Sequence, residues 1–113
     1  MLSETEYVVL AQAELRMLIN ALDQLESDEL DCELENDILT LEVGDGATYV
    51  INSHRAARQI WMAAERTAWH FDWNAERSAW IALKSGDELW QTVRRLLSSK
   101  LPNVGPTLAR PVA

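Results

Sequence analysis

The sequence predicts an α+β fold: a two-layer α/β sandwich in which two terminal helices pack on one face of an antiparallel sheet. Three observations lead there. The chain opens on an apolar stripe of helical spacing, its middle switches to period two between turn residues, and helical spacing returns near the end. Consecutive strands joined by short turns pair antiparallel, and such a sheet can be covered on one face and wet on the other.

Each element follows in order. Ser3 and Glu6 read as a capping box, which satisfies orphan amides at a helix start. Tyr7, Ala11, Leu15, Leu18, Leu22 and Leu25 recur at steps of three and four, one face of a helix of about six turns. Leu30, Cys32 and Leu34 alternate with Asp31, Glu33 and Glu35, a strand with one buried and one acidic face. Asn36-Asp37 turns into a strand over Ile38–Val43, and Gly44-Asp45-Gly46 turns again into Ala47–Asn52. Further strands are predicted over Gln59–Ala63, Trp69–Trp73 and Ser78–Leu83. A second capping box, Ser85 with Glu88, opens a helix whose stripe is Leu89, Val93, Leu96 and Leu97. Pro102 ends it. Residues 1–113 then form a single domain, with 102–113 expected to run as a coil over its surface.

Charge narrows the function. The net charge of −8 and pI near 4.6 disfavour nucleic acid and anionic membranes as partners, and favour cations and basic proteins. The average conceals an asymmetry. Between Arg16 and Arg55 there is no lysine or arginine, but ten acids: Asp23, Glu26, Asp28, Glu29, Asp31, Glu33, Glu35, Asp37, Glu42 and Asp45. Scattered acids merely solvate a surface, whereas eight between Asp23 and Asp37 repel one another at a cost in stability. Carboxylates at such density bind hard cations, iron among them. Without histidine or thiolate the sites are weak and labile.

Other chemistries lack their residues. The chain has no glycine-rich phosphate loop, no Cys-x-x-Cys and no His-Glu-x-x-His. Cys32 faces the core side of its strand, where a thiol is inert packing, and a single cysteine fits a reducing compartment. No apolar run reaches the length of a membrane helix. The first residues lack the basic and apolar pattern of a leader, so the chain is expected to act in the cytoplasm. His54, in a loop, and His70, on the polar side of a strand, read as plain surface residues. Alternation puts Ile60 and Met62 on one face of their strand and Gln59 and Trp61 on the other. If the helices cover the Ile60 face, Trp61 is an exposed anchor for a protein partner.

These residues resemble, in order and spacing, the core of the frataxin family in its bacterial CyaY type. The resemblance is carried by Asp31-Cys32-Glu33, Leu39-Thr40-Leu41, Tyr49-Val50-Ile51-Asn52, Gln59-Ile60-Trp61, His70-Phe71-Asp72-Trp73 and Ser85-Gly86-Asp87-Glu88-Leu89-Trp90. It implies iron, Fe²⁺ or Fe³⁺, weakly bound by an acidic ridge matching Asp23, Glu26, Asp28, Glu29, Asp31 and Glu33. It implies docking on cysteine desulfurase near the iron–sulfur scaffold protein, with sheet-surface residues matching Asn52, Gln59 and Trp61. The family's Asn-x-Gln-x-Pro loop reads here Asn52-Ser53-His54-Arg55-Ala56, so its glutamine and proline are both absent.

The expectation is therefore an iron-binding protein that regulates or supplies iron to iron–sulfur cluster assembly, with no catalytic residues of its own. It is expected to be a monomer, with metal-dependent oligomers as the alternative state. The competing reading is an acidic module that grips a basic partner, with metal incidental. An iron-oxidising enzyme is disfavoured, because no histidine–carboxylate constellation marks a redox site.

Overall fold

The computed structural model describes residues 2–111. Helix α1 spans Glu4–Asp23, strands β1 to β6 span Leu30–Glu35, Ile38–Val43, Thr48–His54, Gln59–Ala64, Thr67–Asn74 and Ala79–Ala82, and helix α2 spans Leu89–Lys100. Short 3-10 turns lie at Arg55–Ala57 and Gly105–Thr107. The strands form one six-stranded antiparallel meander in the order β1-β2-β3-β4-β5-β6. Both helices lie on one face, as the α+β sandwich reading required.

The local chemistry explains most boundaries. Ser3 Oγ accepts from the Glu6 N–H at 3.1 Å and Glu6 Oε1 from the Ser3 N–H at 3.0 Å, so the first capping box is formed. The helix stops at Asp23, earlier than expected, and Leu25 packs from the following loop. Asn36 and Asp37 both take positive φ, 53° and 62°, which twists the hairpin as a two-residue turn requires. The second capping box does not form. Glu88 itself caps α2, its carboxylate accepting from the N–H groups of Trp90 and Gln91 at 2.8 and 3.0 Å, while Ser85 Oγ accepts from Asp87. A carboxylate at the positive end of a helix wins over a more distant hydroxyl.

Register decides which side chains meet the helices. Leu41 pairs with Tyr49, Leu39 with Ile51, Ile51 with Met62 and Ile60 with Phe71, and all are buried against Tyr7, Ala11, Leu15, Leu18 and Leu22 of α1. Leu89, Val93 and Leu97 of α2 complete that core.

Residues 102–111 run irregularly over the surface apart from one 3-10 turn, with 112–113 outside the described residues, but the segment is anchored. Gly105 sits so close to α2 that a Cβ there would come within 2.5 Å of the Ser98 nitrogen. Leu108 is only 2% exposed. Arg110 then reaches α1, its Nε 2.9 Å and Nη2 3.2 Å from the two carboxylate oxygens of Glu14. Glu14, 2% exposed, also accepts from the Trp90 indole N–H at 2.6 Å. A buried carboxylate needs such donors. The segment is thus a strap that ties the two helices together.

Candidate functional site

Two surfaces emerge from this frame. The first is built by the end of α1, the loop after it and the β1–β2 edge. Asp23, Glu26, Asp28, Glu29, Asp31 and Glu33 are all exposed there. None of the six has an ion-pair partner among the described residues; of the ten acids in the window only Asp45 has one, Lys100 Nζ at 2.7 Å. Register places Asp31 directly opposite Glu42, two like charges where cross-strand pairing would favour opposite ones. Asp28, Glu29, Asp31 and Glu42 rim a shallow depression of about 160 Å³ over Gly44 and Gly46. Glu42 was counted in the charge window but not among the ridge residues. The hairpin register, readable from the Asn36-Asp37 turn, is the signal that would have added it. Among the described residues no three His, Cys, Asp or Glu side chains converge tightly enough to form a ready-made metal cage. The arrangement offers an open field of carboxylate oxygens.

Cys32 lies beneath this edge, half-buried on the core side. Burial, with the charges of Asp23 and Asp31 acting in the same direction, pushes its thiol up to about 12. A thiol held up in this way disfavours the thiolate that a soft ligand or nucleophile requires.

If those acids are uncompensated, screening them stabilises the fold, since repulsion between exposed charges falls off over about 10 Å at 0.1 M salt. Added salt is expected to raise the melting temperature by a few degrees, and replacing Asp31 and Glu33 by lysine should do the same at low salt. A melting temperature that falls in both experiments would show that the ridge is already paired within the fold.

The second surface is the open face of the sheet. Asn52, Trp61 and His70 are direct cross-strand neighbours on β3, β4 and β5. Gln59 sits two residues from Trp61 on the same face. Its Oε1 accepts from the Trp61 indole N–H at 2.8 Å, and its Nε2 donates to both Asp72 carboxylate oxygens at 3.2 and 3.1 Å. The structure therefore brings the three expected partner-binding residues together.

Trp61 differs from the expectation in one respect. It is half-buried, because the His54 and His70 rings stack on its two sides at centroid distances of 3.6 and 4.2 Å. Nor is His54 in a loop. It closes β3, and its Nδ1 accepts from the Ala57 N–H, capping the 3-10 turn. Alternation put His70 on this face, but nothing in the sequence announced that two histidines would bracket one indole.

The acidic side chains of β1 share that face. Asp31 lies opposite Glu42, and Glu33 opposite Thr40 and so in line with Val50. Three strand spacings, about 14 Å, separate β1 from β4, close enough for one partner to touch both surfaces.

Comparisons with known proteins agree with this fold. The frataxin-like domain family matches residues 1–103. A protein from Ralstonia pickettii named iron-sulfur cluster assembly protein CyaY is 34% identical over 112 residues, covering 96% of each chain. A frataxin from Psychromonas ingrahamii superposes with a TM-score of 0.82 over 89% of this chain and 93% of its own, at 22% identity. A trimeric frataxin from the yeast Saccharomyces cerevisiae, complexed with ferrous iron, superposes with a TM-score of 0.72 over 82% of this chain and 86% of its own, at 27% identity. With a family match over nearly its whole length, the chain belongs to the frataxin family, in its bacterial CyaY type.

Proposed function

We propose that this chain is a non-catalytic, iron-binding component of iron–sulfur cluster assembly, which regulates cysteine desulfurase or supplies iron beside the scaffold protein. The observation that carries the reading is the run of six exposed carboxylates, Asp23, Glu26, Asp28, Glu29, Asp31 and Glu33, without an ion-pair partner among the described residues. The naming of its relatives after cluster assembly and the ferrous complex of the yeast frataxin support it. Carboxylate oxygens on an open, exposed edge suit Fe²⁺ as cargo, held weakly and released readily. Iron is here something carried or sensed.

One observation favours a second reading. The acids do not converge into a cage, so they could act mainly by attracting a basic patch on the desulfurase, with metal incidental. Anaerobic titration with Fe²⁺, followed by NMR, separates the two. Weak binding is expected, with paramagnetic broadening confined to residues 20–36 and the facing Glu42 turn. Broadening centred on His54 or His70 would overturn the carboxylate assignment, and none at all would leave the acids to the partner alone.

A further inference from the structure

The sheet is unfinished at its β6 end. β5 has eight residues and β6 four. β6 pairs with Phe71 to Asn74 only, so among the described residues Thr67 to His70 have no strand on that side. The ladder tells which main-chain groups are left over. The Ala82 N–H donates away from β5, to the Asp87 carbonyl at 2.8 Å, so Phe71 and Ala82 form a non-hydrogen-bonded pair. Bonding to β6 then falls to Asp72 and Asn74, and the same parity continues back through His70 to Ala68. Those two residues aim N–H and C=O out of the edge where the neighbouring strand has ended.

That edge borders a groove of about 690 Å³, with Thr67, Ala68 and His70 on one side and Leu83, Lys84 and Arg95 on the other. Leu83 is 79% exposed. The groove's carboxylates already have donors. Asp72 is held by the Gln59 amide, and Asp87 by the Trp69 indole N–H at 3.0 Å and by Arg95 at 3.7 Å. Lys84 has no ion-pair partner among the described residues. Residues 84–100 carry Lys84, Arg94, Arg95 and Lys100 against Asp87 and Glu88, a local charge of +2 in a chain of −8. The acidic ridge is five strand spacings away, roughly 24 Å, more than two Debye lengths at physiological ionic strength.

We propose that this groove receives an extended, acid-bearing segment of a partner protein, which adds as a strand beside β5 and sets a carboxylate against Lys84. Unpaired main-chain groups on a sheet edge accept an extended peptide, and the free cation selects its charge. A second copy of this chain fits less well, because two bodies of −8 repel. The proposal uses none of the six ridge acids and does not depend on iron.

The test uses the full-length protein and an acetylated, amidated heptapeptide of alternating threonine or valine with glutamate. Amide resonances of Ala68 and His70 are expected to shift on titration, and those of β1 to stay still. The lysine-for-glutamate peptide should bind about fivefold more weakly or worse, and Lys84→Glu should reverse that preference. Ala68→Pro removes one edge N–H and should abolish binding. Because that variant could unfold, the same peptide N-methylated throughout provides a second test, and it should not bind. Equal binding of the methylated peptide, shifts confined to other surfaces, or a peptide-free dimer through this edge would each overturn the proposal.

Discussion

Replacing Gly105 by alanine is expected to lower the stability of the domain by about 3 kcal/mol, a fall in melting temperature of roughly 10 °C. The new methyl has no room. It would lie 2.5–2.7 Å from main-chain atoms of Leu97 and Ser98 in α2, and backbone cannot swing aside as a side-chain tip can. The strap must lift. Lifting it uncovers Leu108 and separates Arg110 from Glu14, leaving a buried carboxylate with the Trp90 indole as its remaining donor. Leu108→Ala should cost a similar amount through the cavity it leaves. The two changes act on one element, so the double variant should be less destabilised than the sum. Strict additivity, or a Gly105→Ala protein within about 0.5 kcal/mol of the parent, would show that the strap contributes little.

On the proposed docking to cysteine desulfurase, Trp61→Ala is expected to weaken binding by about 2 kcal/mol, the scale of a tryptophan anchor. The histidine stack changes what must be measured beside it. Losing two aromatic neighbours at 3.6 and 4.2 Å should also cost the fold about 1 kcal/mol, so affinity has to be taken per folded molecule. Trp61→Phe separates the contributions. It keeps a ring between His54 and His70 but removes the N–H that holds Gln59 Oε1, and Gln59 is then free to release Asp72. Stability should largely return, while affinity recovers only in part. Unchanged affinity in both variants, with stability lost in Trp61→Ala, would make Trp61 a packing residue and remove the open face from the interface.

The parts legible in the sequence were those governed by near neighbours. Alternation through Ile60 and Met62 fixed the face of Trp61, and Asn36-Asp37 fixed the first hairpin and with it the acidic side of β1. Charge counting marked the acidic window, and the resemblance to the frataxin family picked the six ridge residues out of it. What stayed hidden depends on distant partners. Glu14 stands three residues after Ala11 and four before Leu18, on the buried stripe, so its spacing hinted at burial. Its partner Arg110, however, is 96 residues away. The three prolines after α2 read as coil because proline withdraws main-chain donors. Yet the segment is held by a glycine contact, one leucine and one arginine, none of which has a periodic signature. The Ser85 reading failed because two candidate caps competed and the nearer carboxylate prevailed.

The meander has a consequence in time. Every strand pairs with its neighbour in sequence, so the sheet can zip hairpin by hairpin with short loops to close. The strap cannot join until α1, the sheet and α2 have come together, since Glu14 and Arg110 sit at nearly opposite ends of the chain. Contacts that form after the rate-limiting step slow unfolding and leave folding untouched. The segment from Gly105 to Arg110 is therefore expected to act as a latch on a door already shut, doing little to speed its closing and much to delay its opening.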